Sequence, residues 1–294
     1  MKRDLDPGLA RPSKVAPLLA EHDRSANLPK RATDHRANII KMIEEVGRRH
    51  GRQTVFRDFV TMSAVALSKL DFRQAEAREE LYMQTVRKYT SGEAKTIAHM
   101  FAELQQGLSV APRDILGEIY MQLELGNSKI GQYFTPHHIC ELMAEIALMT
   151  ALTMSDNVDE QVAKKGFVTI SEPASGSGAT IIAAMMALQK RGLNYQRHAH
   201  VTAVDLDSTS AMMAYVQLSL LHVPAVVVHG NTLTLEEYSH WYTPAHIMGN
   251  WNHKLAQASA ERATAAALRA DAPDEQESDL EPDRPLEDGP APTS

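Results

Sequence analysis

The chain has little of several features that would assign its class at once. Its 294 residues include one cysteine, Cys140, so no internal disulfide is expected. Aromatic residues make up 5%, and no apolar run reaches the roughly 20 residues that a membrane helix needs. The start, from Met1 to Asp4, lacks the apolar stretch of a secretion signal. These absences predict a cytoplasmic protein without a membrane span.

Histidine is frequent, with 13 residues, but its spacing does not favour a metal site. His137 and His138 are adjacent, and His198 and His200 are two positions apart. Zinc sites need several histidines and cysteines at set intervals, for which the chain has neither the cysteines nor a His-x-x-x-His helix. We therefore expect no metal.

The net charge of -7 is unevenly distributed along the chain. Residues 256–294 hold ten Asp and Glu against three Arg, so the first 255 residues are balanced at 27 basic and 27 acidic. Within that part, residues 1–60 carry a surplus of five positive charges. This surplus is interpreted either as a phosphate-contacting region or as ordinary solvated surface.

The sequence pattern predicts four regions. Residues 1–34 show little periodicity and are expected to be a flexible N-terminus. Residues 35–130 show helical periodicity and form a predicted helical domain, and residues 131–255 alternate between strand and helix. Residues 256–294 are predicted to be an alanine-rich helix followed by a disordered acidic tail.

Apolar residues recur at helical spacing in the second region. Ser91 and Gly92 are interpreted as a loop between two helices, and Pro112 precedes a further helix. The buried stripes are predicted to be Phe56, Phe59, Val60, Leu67 and Leu70 in the first helix and Ile97, Met100, Phe101, Leu104 and Leu108 in the second.

The third region predicts an α/β fold with a parallel sheet. Alternating strands and helices build such sheets through helical crossovers, and their ligands bind beyond the carboxyl ends of the strands. After residue 255 no further strand is predicted, so the sheet is expected to stop at four strands. The open edge then needs cover from the N-terminal helices, the last helix or another subunit. The candidate strands are residues 168–170, 201–204, 225–228 and 245–248, with crossover helices at residues 179–190 and 208–221.

Polar and glycine residues follow three of these strands. Gly176 and Gly178 either let a ligand approach the backbone or make a tight turn. Asp205 either accepts both hydroxyls of a ribose or caps the next helix together with Asp207. Asn231 either hydrogen-bonds an adenine edge or is a turn residue.

Thr135 and Pro136 are typical of a helix start. The proposed helix has an open amino end that suits an anionic carboxylate. Its buried stripe is predicted to be Ile139, Leu142, Met143 and Ile146.

In order and spacing, these segments resemble the N6-adenine DNA methyltransferases, especially the modification subunits of type I restriction systems. The resemblance covers about residues 50–255, and the part before residue 131 is similar to shorter methylase-like proteins of mobile elements. It implies a Rossmann-like sheet, S-adenosylmethionine as the cofactor and DNA as the substrate. The matching segments are Gly131 to Pro136, Glu172 to Gly178, Val204-Asp205 and Gly230 to Leu233.

The resemblance also implies roles for individual residues. The first segment contacts the methionine end of the cofactor, the glycine turn cradles it, and the acid after the second strand holds the ribose. Asn231 meets the adenine in place of the family's usual aspartate. The implied cofactor residues are Phe134, Thr135, Pro136, Glu172, Ala174, Gly176, Gly178, Asp205 and Asn231.

The expected catalytic loop departs from the family pattern of Asn-Pro-Pro followed by an aromatic residue. Asn250 matches the asparagine that polarises the adenine amine, and Trp251 is the candidate for stacking on the flipped base, but both prolines are missing. The alternative is a turn at Asn250 beside a packed Trp251.

Three functions remain open from the sequence. The first is adenine N6 methylation of DNA, with sequence specificity supplied by a partner chain because no segment is long enough for target recognition. The second is a cofactor-binding regulator or anti-restriction partner without catalysis. The third is a methyltransferase for another amine, in protein or RNA.

Overall fold

Three parallel strands and one antiparallel strand form the sheet. The computed structural model describes residues 33–123, 125, 135–153 and 158–270. Strands β1 (Val168–Glu172), β2 (Ala199–Asp205) and β3 (Ala225–Asn231) run parallel, and β4 (Glu236–Tyr242) pairs antiparallel with β3. The spatial order is β1-β2-β3-β4. The first three predicted strands are confirmed, and each is longer than predicted.

Helices connect the strands, as the predicted α/β class requires. Helix α8 (Ala179–Lys190) and the short α9 (Tyr195–His198) lie between β1 and β2, and α10 (Ser208–Leu220) lies between β2 and β3. Both predicted crossover helices are therefore confirmed. The other helices of this half are α6 (His137–Thr153), α7 (Val158–Lys165), α11 (Pro244–Met248) and α12 (Trp251–Ala270).

The N-terminal helices begin at short polar side chains that bind free backbone amides. Asp34 accepts a hydrogen bond from the Ala37 amide, and Thr90 and Glu93 form a reciprocal capping box. This box starts a helix at Ser91, so the predicted loop at Ser91-Gly92 is wrong. The helices are α1 (His35–His50), α2 (Arg52–Leu67), α3 (Ala75–Val86), α4 (Ser91–Val110) and α5 (Ile115–Gln122).

Seven of the ten residues predicted for the stripes of α2 and α4 are buried in the core of the helical part. Phe56, Phe59, Ile97, Met100 and Leu104 are among the buried members. Leu70 departs from the prediction, because α2 ends at Leu67 and Leu70 is 38% exposed. Helix α2 packs against α10, and a single hydrophobic cluster runs from the N-terminal helices to the sheet.

The predicted strand at residues 245–248 is wrong, because this segment forms helix α11. Thr243 caps it by accepting a hydrogen bond from the His246 amide, and Pro244 occupies its first turn. The actual fourth strand, β4, has the sequence Glu-Glu-Tyr-Ser-His-Trp-Tyr. Its first residues are polar and exposed, so the sequence lacks the apolar pattern that predicts a strand. A short turn after Asn231 returns the chain antiparallel to β3. The sheet is consequently not entirely parallel.

The free edge of β4 is covered from the N-terminal side. The Arg78 guanidinium on α3 donates to the His240 carbonyl at 2.9 Å and lies 4.3 Å from the centre of the Trp241 ring. Arg78 also pairs with Asp71 at 3.1 Å, and both side chains are buried. The N-terminal helices were one of the three elements expected to cover the free edge, and Arg78 on α3 provides this cover at His240.

Helix α6 buries a different face from the predicted one. Cys140, Ala144 and Leu148 are buried, and α6 packs against α8. Glu141 and Glu145 also pair with Lys190 and Arg191 at the end of α8, at 3.9 and 3.7 Å, in partly exposed contacts that contribute little to stability. The residues predicted to be buried are exposed instead, by 38% to 56%: Ile139, Leu142, Met143 and Ile146.

The last described element is α12, which begins earlier than the predicted helix at residue 256. The predicted flexible start falls mostly on residues 1–32 and the acidic tail on residues 271–294, both outside the described residues. Among the helices of the described part, none is long and apolar enough to cross a membrane.

Candidate functional site

The carboxyl ends of β1, β2 and β3 meet at one edge of the sheet, which we call the carboxyl edge. β1 ends at Glu172, β2 at Asp205 and β3 at Asn231. The chain after β1 stays beside β2, because the Ser175 amide donates to the Val204 carbonyl at 2.8 Å. Three of the predicted cofactor segments therefore lie side by side.

The glycine turn between β1 and α8 needs residues without side chains. Gly176 has φ 53° and Gly178 has φ 93°, in the left-handed region that other residues rarely adopt. Gly178 precedes the first residue of α8, and no side chain caps this helix. The Gly176 amide donates to Asp205 and the Gly178 amide to the Ser175 carbonyl at 2.8 Å, so the amides left for an anionic or polar ligand are those of the first turn of α8.

Asp205 holds the glycine turn in place. One carboxylate oxygen accepts from the Gly176 amide at 2.7 Å, and the other accepts from the Asp207 amide at 2.9 Å. Burial raises the pKa of Asp205, and the two backbone hydrogen bonds oppose this shift. Asp207 caps α10 by accepting from the Ser210 amide at 2.7 Å, so Asp205 does not cap this helix, and its contact with a ribose stays a prediction. Each oxygen of Asp205 keeps a second lone pair for a ligand hydroxyl.

Glu172 and Thr232 organise the loops around this turn. Glu172 accepts from the Ala174 amide at 3.2 Å and from the Thr180 hydroxyl at 2.9 Å. The Thr232 hydroxyl donates to the Pro173 carbonyl at 2.6 Å and so ties the loop after β3 to the loop after β1. Glu172 therefore supports the loop that carries the backbone of Ala174.

Asn231 acts as a turn residue. Its side-chain oxygen accepts from the amides of Leu233 and Thr234 at 3.0 and 3.3 Å. This arrangement starts the return into β4 and confirms the turn interpretation. Because the side-chain oxygen already accepts two hydrogen bonds, a contact to an adenine edge would use the side-chain NH2 group.

The start of α6 lies near the glycine turn. The Pro136 carbonyl accepts from the Cys140 amide at 3.1 Å and α6 begins at His137, so a helix does start directly after Thr135 and Pro136. Burial raises the pKa of the Cys140 thiol to about 11, and the nearby carboxylates of Asp114 and Glu172 add to this shift. Phe134, with the preceding residues of its segment, lies outside the described residues.

A buried polar network fixes the glycine turn to the N-terminal helices. Asp114 accepts from the Ser177 hydroxyl, from the Gly117 amide at 2.8 Å and from the Gln217 side chain at 2.8 Å. Gln217 also donates to the Ser177 carbonyl at 2.9 Å and accepts from the Leu116 amide at 3.1 Å. A β-carbon on Gly117 would collide with Asp114 and Ser177.

Sequence reasoning assigned no role in the site to this network. Its signals were an aspartate before the apolar start of α5 and a glutamine within the otherwise apolar α10. Both side chains are buried, and burying a polar group costs free energy unless hydrogen bonds satisfy it, as they do here.

The structure separates Asn250 and Trp251 from the carboxyl edge. Because β4 is antiparallel, its last residue, Tyr242, pairs with Val226 near the start of β3. Helices α11 and α12 therefore begin at the amino edge, about 20 Å along the strands from the glycine turn. Trp251 is 1% exposed and contacts Phe167 and His200, so it is not available to stack on a base. Asn250 occupies a tight position with φ 51°, which agrees with the turn interpretation.

A buried histidine pair lies beside Trp251 at the amino edge. His200 Nε2 is 2.9 Å from His246 Nδ1, and His246 Nε2 is 3.1 Å from the Asn252 side-chain oxygen. Burial lowers the pKa of His200 to about 4, and His246 lowers it further. Burial also lowers the pKa of His246. In the described part of the chain, no group of three metal-binding side chains is present.

This pair predicts a loss of stability in mild acid. Both histidines have folded-state pKa values below the unfolded value of about 6.5, so their contribution is present above that pH and is lost as the pH falls through 6.5 towards 4. We expect His200 alone to lower the free energy of unfolding by about 2 kcal/mol between pH 7 and pH 5. Urea unfolding of native protein and His200→Gln across this range measures the difference. A parallel pH dependence in both proteins would contradict the assignment.

Comparison with known proteins identifies a family for more than half of the chain. A family model described as N-6 DNA Methylase matches residues 111–280. Comparisons with curated proteins and with solved structures gave no match. The matched range contains the glycine turn, Asp205, Asn231 and the buried network around Asp114. The chain belongs to the N-6 DNA methylase family.

Proposed function

We propose that the protein binds S-adenosylmethionine at the carboxyl edge. The observation that carries the proposal is the 2.7 Å hydrogen bond between the Gly176 amide and the Asp205 carboxylate. It brings the open amino end of α8 and a carboxylate with free lone pairs within reach of one nucleoside. Asp205 would accept the ribose hydroxyls, and the backbone at Gly176 and Gly178 would lie against the ligand.

The surroundings of Asp205 suit the rest of this ligand. Leu206, which follows Asp205, is 61% exposed and offers an apolar surface for the adenine ring. Glu172, Glu236 and Glu237 surround the same edge and attract the positive sulfonium and ammonium groups. The methionine carboxylate would approach the start of α6 at Thr135.

We infer that the reaction served by this pocket is methyl transfer to the N6 amine of adenine in DNA. S-adenosylmethionine would supply an electrophilic methyl group there, which the amine would accept as the C–S bond breaks, with a neutral thioether and one proton as the other products. Asp205 and the backbone at Gly176 and Gly178 would hold the cofactor for this transfer. Family membership supports this reaction, and sequence specificity would come from a partner chain.

A second candidate is cofactor binding without methyl transfer. The placement of Asn250 and Trp251 at the amino edge favours it, because the two residues expected to hold the target adenine lie about 20 Å from the cofactor residues. A regulator or anti-restriction partner needs the pocket alone.

Replacing Asn250 by glycine tests whether this residue takes part in methyl transfer. Glycine accepts φ 51° without strain, so we expect the free energy of unfolding to change by less than about 1 kcal/mol. Calorimetric titration should give the same S-adenosylmethionine affinity for native protein and variant, within about twofold, because the site is remote. Absence of measurable binding to native protein would overturn the proposed cofactor.

Radiolabelled methyl transfer to duplex DNA completes this experiment. With partner chains supplied, equal transfer by native protein and Asn250→Gly supports an enzyme that does not use Asn250. Cofactor binding with no transfer by either protein supports the second candidate. A loss of transfer by more than about tenfold in a normally folded Asn250→Gly would contradict the placement of this residue away from the reaction.

A further inference from the structure

Cationic side chains converge at the amino edge, in a groove between α7, α9 and α12. The groove has a volume of about 380 Å³. Lys164 and Lys165 come from the last turn of α7, Arg197 from α9 and Lys254 from α12. Glu261 is the acidic residue in its lining. We call this surface the α7–α12 groove.

These cations are available for an external partner. Lys165, Arg197 and Lys254 are exposed, and within the described part of the chain they form no ion pair. Lys164 pairs with Glu160 at 3.9 Å, an exposed contact of the kind that contributes little. The Lys254 ammonium lies 4.5 Å from the centre of the buried Trp251 ring, which restrains its position on the rim.

Among the residues that the structure describes, the carboxyl edge offers phosphates no comparable surface. Glu172, Asp205, Glu236 and Glu237 lie there, and a polyanion is repelled by such carboxylates. A DNA duplex carries one negative charge for about every 1.7 Å of its axis and is held mainly by Lys and Arg contacts to phosphates. The charge distribution therefore points to the opposite edge for the attachment of a DNA backbone.

We propose that the α7–α12 groove holds the phosphate backbone of duplex DNA. The proposal rests on the proposed function in one respect, the identity of the substrate as DNA, and it adds a contact surface remote from the cofactor. Backbone contacts of this kind position a duplex without reading its sequence. Recognition of the methylated base would then remain with the carboxyl edge and a partner chain.

Fluorescence anisotropy with a labelled duplex of about 30 base pairs, without cofactor, tests the groove. The variant Lys165→Gln/Arg197→Gln/Lys254→Gln removes three cations that converge on it. The matched control, Lys41→Gln/Arg87→Gln/Lys95→Gln, removes three exposed cations from the N-terminal helices. We expect the groove variant to bind about 10- to 100-fold more weakly and the control to change by less than about threefold. The slope of log affinity against log salt should fall by about 0.9 for each lost phosphate contact.

Three outcomes would overturn the proposal. Equal weakening of both variants would indicate a general charge effect, and an unchanged salt slope in the groove variant would show that no phosphate contact was lost. The competing occupant is the acidic segment 271–294, which follows α12 directly. Carbodiimide crosslinks from that segment to Lys165 or Lys254, together with unchanged DNA binding in the groove variant, would assign the groove to the segment.

A calorimetric titration keeps this result separate from the cofactor proposal. The groove variant should bind S-adenosylmethionine as the native protein does, because no groove residue lies at the carboxyl edge. If native protein bound no cofactor and still lost DNA affinity through the groove variant, the proposed function would fail and the DNA surface would stand.

Discussion

Replacing Asp205 by alanine is expected to weaken S-adenosylmethionine binding by about 100-fold or more. The carboxylate accepts from the Gly176 and Asp207 amides, and in the proposed complex it also accepts from the ribose. Hydrogen bonds to a charged group are each worth about 1.5–3 kcal/mol, and a loss of about 2.7 kcal/mol corresponds to 100-fold. The variant also frees the glycine turn, so the ligand meets a less ordered backbone. Isothermal titration of native and variant protein measures the change.

Asp207→Asn is the matched control for this prediction. It removes a neighbouring charge but keeps an oxygen to cap α10 at the Ser210 amide, so we expect affinity within about threefold of native. Thermal unfolding of all three proteins shows whether each is folded. A folded Asp205→Ala that binds cofactor as tightly as native protein would leave the carboxylate a structural role alone and refute its contact with the ribose.

Local patterns account for the parts of the fold that were predicted correctly. The strands before Gly176 and Asp205 are short β-rich runs next to helices with clear periodicity, and both signals reside within a few residues. β4 was missed because its first four residues are Glu-Glu-Tyr-Ser and only Trp241 is fully buried among its seven positions. The direction of β4 depends on the turn at Asn231, which reverses the chain after β3. The prediction of a parallel fourth strand did not include this reversal.

The error in β4 also changed the expected position of Asn250. Placing a parallel strand at residues 245–248 put Asn250 at the carboxyl edge, whereas the antiparallel β4 carries it to the amino edge. The residues of the glycine turn were identified because the motif is contiguous in sequence. Asp114 and Gln217 were not, because their contact joins positions 103 residues apart and only the folded chain reveals it.

Replacing Asp114 by alanine is expected to lower the free energy of unfolding by about 4 kcal/mol. The substitution removes the acceptor for the Ser177 hydroxyl, the Gly117 amide and one Gln217 contact, all inside the protein. A buried donor left without a partner costs about 1–3 kcal/mol. Since Ser177 belongs to the glycine turn, cofactor affinity should fall as well. Urea unfolding and calorimetric titration measure the two effects.

Asp114→Asn removes the charge of this side chain and keeps its shape. The amide keeps one oxygen for Gly117 and Gln217, and its NH2 group can donate to Ser177 after the hydroxyl rotates. We expect the free energy of unfolding to stay within about 1 kcal/mol of native near pH 4. Burial raises the pKa of Asp114 above its usual 3.8, so its contribution is fully present below that pH and is lost as the pH rises through the folded-state pKa.

The Asn variant lacks this loss, so its stability relative to native protein should increase as the pH rises from about 4 to 8. Contributions from Asp205 and from the histidine pair are common to both proteins and cancel in the comparison. A native protein that gained stability over Asp114→Asn as the pH rose would show that the folded state favours the charged carboxylate. The network would then be an anionic anchor for Ser177, and the glycine turn would depend on the ionised form of Asp114.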